Sequence, residues 1–123
     1  MVDRVEVVPG LPAEAGPGQP IGGQAVFDIP GAHIGLVRLA PGAVGKWHHH
    51  AACNFFGYVL SGTLTLEHGP GGRTVERIPA GRFVRIPPRV IHRDRNDSGV
   101  TVLVATACIG PEPMSQPADG PEP

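Results

Sequence analysis

His48, His49, His50 and His92 are the residues best equipped for chemistry in this chain of 123. A β-strand alternates its side chains between two faces, so on a strand His48 and His50 share one face and His49 takes the other. Two imidazoles placed this way can reach one metal ion. A third must come from another strand. His92 is the candidate, because it follows the Pro87-Pro88 pair and Arg89-Val90-Ile91 at the start of a later segment. Imidazole nitrogen suits zinc, iron, copper and nickel. Taken alone, the run at 48–50 also reads as a solvated histidine cluster at a strand edge, so the surrounding pattern has to decide.

The elements that position these rings are strands. Glycine (18) and proline (15) make up about a quarter of the chain, a share that often accompanies disorder. Here 41% of residues are hydrophobic, and runs such as Val100-Thr101-Val102-Leu103-Val104 are core material. Short apolar-rich segments cover Gln24 to Ile29, Ile34 to Ala40, Phe55 to Leu60, Thr63 to Glu67, Thr74 to Ile78, Arg82 to Ile86 and Val100 to Ile109. Turn pairs such as Pro30-Gly31, Pro41-Gly42, Ser61-Gly62 and Pro87-Pro88 separate them. That rhythm predicts an all-β fold, a small antiparallel barrel or jelly roll, with minor helix. Three parts are expected: an N-terminal strand and Pro/Gly-rich arm over 1–21, the barrel over 22–109, and a flexible proline-rich tail over 110–123. The opening strand is read over Met1 to Val8. The tail has little apolar bulk to offset the entropy of ordering.

Other function classes find little support. The formal charge is −1, and no basic stripe offers phosphate contacts, so no nucleic-acid partner is expected. No apolar stretch approaches the ~20 residues of a membrane span, and no secretory signal is read at the N-terminus. Two cysteines are too few for a disulfide scaffold. A cytoplasmic protein is the default. Gly69-Pro70-Gly71-Gly72 reads as a hairpin turn, since a phosphate loop would lead into a helix. Arg89, Arg93 and Arg95, interleaved with Asp94 and Asp97, read as a salt-bridged surface.

Two blocks carry a family likeness. In the first, Gly42 is followed after five residues by His48, then His50, and later by Tyr58-Val59-Leu60-Ser61-Gly62. In the second, Gly81 is followed after five residues by Pro87, then by His92 and, after three more residues, Asn96. From about Pro41 to Asn96 the chain resembles the paired signature motifs of the cupin superfamily. The resemblance implies a small antiparallel barrel with a metal held inside by His48, His50 and His92. Two positions depart from the pattern. Arg89 stands where the second motif usually has glycine. Phe55 stands where the family's glutamate ligand would fall, and phenylalanine cannot coordinate. Cys53, which shares Phe55's parity, and Asn54, which would need a β-bulge to turn inward, are possible additional ligands. A bare three-histidine site is preferred.

Three neutral imidazoles leave a divalent ion its full charge and open positions for water, dioxygen or a chelating substrate. Within the cupins, loss of the glutamate resembles thiol dioxygenases and a diketone-cleaving dioxygenase, which use iron(II) on three histidines. Zinc-dependent cyclases and isomerases are similar in size. The reading is therefore a metal-dependent enzyme, a mononuclear iron dioxygenase first, with Fe(II) favoured and Zn, Ni or Mn as alternatives. A zinc-dependent cyclase, isomerase or lyase, or a non-catalytic ligand-binding cupin, stands beside it. Alternation puts Phe55, Gly57 and Val59 on the pocket side, and Phe83 is counted with them. An apolar pocket favours a small, partly hydrophobic substrate. Asp94 shares parity with His92 and reads either as an acceptor for a ligand imidazole or as a solvated carboxylate at a strand end. His33 and His68 read as exposed. A homodimer is expected, with the N-terminal strand pairing to an edge strand of a second subunit.

Overall fold

The structure, a computed structural model, describes residues 3–10 and 20–123. Ten strands follow in order among the described residues: β1 (Ile21–Ile29), β2 (Ala32–Leu39), β3 (His48–His49), β4 (Asn54–Ser61), β5 (Thr63–His68), β6 (Thr74–Pro79), β7 (Phe83–Ile86), β8 (His92–Arg95), β9 (Val102–Ile109) and β10 (Gln116–Pro117). They form two five-stranded sheets with the orders β1-β2-β9-β4-β7 and β10-β3-β8-β5-β6. Neighbouring strands run antiparallel throughout. The helical content among the described residues is one 3-10 turn at Pro70–Gly72. The double-sheet jelly roll read from the turn spacing is the observed fold.

The core follows from alternation. Leu39, Val59, Leu64, Leu66, Ile86, Val102 and Val104 come from both sheets and bury their side chains against one another. Full burial of such a side chain contributes roughly 1.5–3 kcal/mol. Two devices set the corners. Gly62 turns β4 into β5 at φ 76°, and a Cβ there would lie 2.9 Å from Val102 Cγ2 and 3.0 Å from the Thr101 carbonyl. Only glycine takes that backbone angle in that space without strain. Asn96, 1% exposed, lies with its side-chain amide nitrogen 2.8–3.1 Å from the carbonyls of Leu39, Ala40 and Val100. Its Oδ1 accepts from the backbone N–H and hydroxyl of Ser98. One side chain thus satisfies backbone groups from two separate turns.

The outer face of the second sheet carries a salt-bridge cluster. Arg93 donates from Nε and Nη2 to the two Glu67 oxygens, each at 3.2 Å, and Arg95 bonds both Glu67 and Asp97. The Arg93 guanidinium lies 4.5 Å over the Trp47 ring. The expected charged surface is present in part: Arg93, Arg95 and Asp97 take part around Glu67, while Arg89 is outside these ion pairs and Asp94 is directed toward His92.

Two expectations for the ends are corrected. Residues 3–10 form no strand, and Val5 and Val7 stand exposed, so the described part of Met1 to Val8 does not pair with the sheet. Most of the Pro/Gly-rich arm lies outside the described residues. The segment after Ile109, expected as a loose tail, packs against the barrel. Gln116 and Pro117 form β10, Met114 is 6% exposed, and the Ala118 N–H donates to the Trp47 carbonyl. Its anchors are mostly backbone groups, which composition does not reveal. No helix among the described residues is long and apolar enough to cross a membrane.

Candidate metal centre

Strand β3 pairs with β8 through one register pair, His48 opposite His92. Direct cross-strand partners share a face, so both imidazoles enter the barrel together. Their ring centroids lie 4.3 Å apart. His50, two residues on from His48, joins the same face at 5.1 Å from each of the other rings. One nitrogen from each of the three lies within 4.8 Å of the others. His49 turns the other way and accepts from the Ala51 N–H. The three histidines singled out by spacing are the three the fold brings together.

Their second nitrogens decide what the cluster can do. Nδ1 of His48 lies 2.9 Å from the Lys46 carbonyl, Nδ1 of His92 2.9 Å from that of Val90, and Nδ1 of His50 3.1 Å from that of Met114. A carbonyl oxygen only accepts, so each Nδ1 carries a proton, and in the neutral ring it is Nε2 that holds the lone pair. His50 Nε2 is buried and has no hydrogen-bond partner among the described residues. A buried orphan acceptor costs about 1–3 kcal/mol, and a metal ion removes that cost. Desolvation first, then the neighbouring His92 imidazole, pushes the His50 pKa down from 6.5 to about 4. Desolvation, with His48 adding to it, lowers His92 likewise to about 4, against the pull of its Val90 hydrogen bond. Neutral rings with free lone pairs are the form that binds a metal. The residues present fit a divalent ion.

Phe55 lies flat against His50, with centroids 4.4 Å apart and planes 12° from parallel. The position expected to hold a carboxylate ligand therefore holds a ring that clamps a histidine. The carboxylate at the site comes from β8. Asp94 faces inward from two residues beyond His92, with Oδ1 3.9 Å from His92 Nε2 and 26% of its side chain exposed. Burial pushes its carboxyl pKa up, while the His48 and His50 imidazoles pull the other way. The shared parity with His92 was the signal for this placement, but a strand-end carboxylate in solvent gives the same pattern.

Two other expectations are corrected. Asn54 lies on the outer face, where its Oδ1 accepts from Arg85 Nε at 3.0 Å and Nη2 at 2.9 Å; no bulge turns it inward. Cys53 is fully buried but donates to the Pro111 carbonyl at 3.1 Å and packs with Cys108 and Met114, outside the imidazole cluster. Phe83 is 79% exposed. It is the cross-strand partner of Tyr58, with ring centroids 4.6 Å apart, and, as expected, it lines the cavity that ends at His92. Gly57 and Val59 do face inward: a Cβ on Gly57 would meet Val84 and Val104 at 3.1–3.2 Å, and Val59 belongs to the core. His33 is held in a side-chain cluster, with Nε2 2.7 Å from Asp28 and 3.1 Å from Glu112.

Two cavities reach the imidazoles. One of about 360 Å³ ends at His92 between Leu66, Ile78, Val84, Ile86 and Val90, with His68 and Glu76 also in its wall. The other, about 430 Å³, reaches His50 and Phe55 beside Thr106 and Met114. Both have room for a small organic molecule.

Comparison with known proteins agrees with this architecture. A sequence model described as the Cupin domain matches residues 35–107. No curated protein matches the sequence. Among solved structures, an uncharacterised conserved protein with a double-stranded β-helix domain from Klebsiella pneumoniae is similar, with TM-score 0.76 and 17% identity over 86% of this chain and 90% of that one. TT1209 from Thermus thermophilus is similar with TM-score 0.70 and 22% identity, over 80% of this chain and 90% of that one. An oxalate oxidase in complex with glycolate gives TM-score 0.61 and 22% identity over 70% of this chain, which spans 45% of the oxidase.

Proposed function

The chain belongs to the cupin domain family, and we propose that it is a metal-dependent enzyme acting on a small, partly apolar molecule. The observation that carries this reading is the convergence of three imidazoles whose Nδ1 atoms are all committed to backbone carbonyls. Such a set has no use for its inward lone pairs except to hold an electrophile. The leading chemistry is that of a mononuclear iron dioxygenase. A bound iron(II) supplies open positions for dioxygen and for one substrate donor atom.

The chain's own residues supply the rest. Phe55 holds the His50 ring in one plane and keeps water from its face. Leu66, Ile78, Val84, Ile86 and Val90 form a wall that accepts an apolar substrate body and leaves its polar end toward His92. Asp94 places one negative charge beside the three neutral rings, which partly offsets a divalent ion. The similar oxalate oxidase shows that this fold supports oxidation of a small oxygen-donor molecule, and here it supports the reading by analogy of fold alone.

A zinc-dependent lyase, cyclase or isomerase is the second reading, favoured by the neutral all-nitrogen donor set, which zinc accepts as readily. Oxygen uptake separates the two. Protein reconstituted anaerobically with iron(II) and presented with thiols or β-diketones should consume dioxygen. Zinc retained through purification with no uptake in the iron form supports the second reading and contradicts the first. For assembly we propose a homodimer joined through the outer face of the first sheet, where Phe56, Leu60, Phe83 and Ile109 are exposed. Two free buried thiols, Cys53 and Cys108, suit a cytoplasmic setting.

A further inference from the structure

The segment that follows β9 reaches back to β3, which carries His48, and to His50 just beyond it. The Met114 carbonyl accepts from His50 Nδ1 at 3.1 Å, a buried contact between residues 64 apart in sequence. Two residues later, β10 pairs with β3, placing Gln116 opposite His49 and Pro117 opposite His48. The Ala118 N–H then donates to the carbonyl of Trp47, the residue before His48. Strand β3 is two residues long and meets β8 through a single register pair, so β10 supplies its entire other edge.

The segment is itself anchored at several points. Cys53 donates its thiol to the Pro111 carbonyl at 3.1 Å, and Cys108 lies 3.6 Å from the Met114 carbonyl. The Met114 side chain packs with both cysteines. Glu112 meets His33, and the Gly71 N–H donates to the Glu122 carbonyl at 2.7 Å. The segment's own residues, from Pro111 onward, lie beyond the stretch that the family's model matches.

The other two ligand rings are held differently. His48 and His92 each bond the carbonyl two residues before them, Lys46 and Val90, so their own loops set their orientation. His50 alone depends on a distant segment. We propose that Met114 to Pro117 act as a positioning strap for the metal centre: the Met114 carbonyl selects the Nδ1–H tautomer of His50, and β10 fixes the strand beneath it. This rests on the three-histidine site proposed above. Partners behind a ligand imidazole typically change metal affinity about tenfold to a hundredfold when removed.

The test uses a chain ending at Pro113, with Met114→Gly and Met114→Leu beside it. Cobalt(II) and zinc affinities are measured against a chromophoric chelator, and the His50 tautomer is read in the metal-free protein by long-range ¹H–¹⁵N spectra. The full chain should show one dominant Nδ1–H tautomer at His50 and bind one ion. The shortened chain should show mixed tautomers and bind about tenfold to a hundredfold more weakly. Met114→Gly should fall between, and Met114→Leu, which keeps the apolar anchor, should match the full chain. If the shortened chain does not fold, the two point variants carry the test. Unchanged affinity and tautomer in the shortened chain, or in Met114→Gly, overturn the strap and leave the metal site standing. A full chain that binds no ion overturns the site instead.

Discussion

Phe55 and His50 stack nearly parallel, with 4.4 Å between ring centroids, at the position where the family resemblance would put a carboxylate ligand. The phenyl ring fills space inside the barrel and fixes the plane of a histidine whose Nε2 has no other partner among the described residues. Phe55→Ala should therefore destabilise the protein by about 3 kcal/mol in urea unfolding, through lost burial and a cavity. Phe55→Glu separates the two roles. It should lower the stability of the metal-free protein by about 2 kcal/mol, because a buried carboxylate lacks a partner, and tighten metal binding. Equal metal affinity in Phe55→Glu and wild type would show that position 55 does not face the ion.

Asp94 offers the carboxylate that Phe55 does not. Asp94→Asn keeps the size and removes the charge. Metal affinity measured by competition should fall about tenfold, with the fold unchanged by circular dichroism. An Asp94→Asn protein with wild-type affinity would assign this residue to the wall of the cavity alone.

Glu67 gives a pH dependence with a definite sign. Burial works to raise its pKa, but hydrogen bonds from Arg93 and Arg95 outweigh it and hold the carboxyl below the ordinary 4.5. A depressed folded-state pKa contributes stability above the unfolded value and loses it as pH falls through the folded one. Glu67→Gln should cost about 2 kcal/mol at neutral pH. The gap between the two proteins should stay level down to about pH 5 and close below it. A gap that widens on acidification would contradict the assignment.

How much of this was legible in the sequence depends on the kind of force involved. Alternating apolar segments and Gly/Pro turns specify a two-sheet barrel, because the side-chain period and the turn angles are local properties. The same parity argument paired His48 with His50 and put Phe55 inside, while His92 entered through the resemblance of the second block to the family's motif. It failed where register mattered. It could not place Phe83, whose partner Tyr58 lies on a strand distant in sequence; Phe83 is exposed and still lines the cavity that ends at His92. Asn54 follows parity once no bulge intervenes, and its amide serves Arg85. Asp94 was ambiguous, since an inward carboxylate and a strand-end one share a pattern. The docked segment from Pro111 onward was missed because carbonyls of Pro111, Met114 and Glu122 make its contacts, and every residue type carries a carbonyl.

Asn96 belongs to the second sequence block but not to the metal site. Its buried amide satisfies carbonyls at Leu39, Ala40 and Val100. Asn96→Ala should cost about 2–4 kcal/mol in stability, because it leaves buried carbonyls without donors. Metal bound per folded chain should not change. A variant that keeps its stability but loses the ion would move Asn96 into the site.

The most direct measurement is the metal content of the tag-free protein and of its His92→Ala variant, by elemental analysis after exhaustive dialysis and reloading with iron(II) or zinc. The wild-type chain should hold one ion, and the folded His92→Ala chain should hold none. A wild type that takes up no ion, or a variant that keeps the full complement, would contradict a metal centre built from His48, His50 and His92.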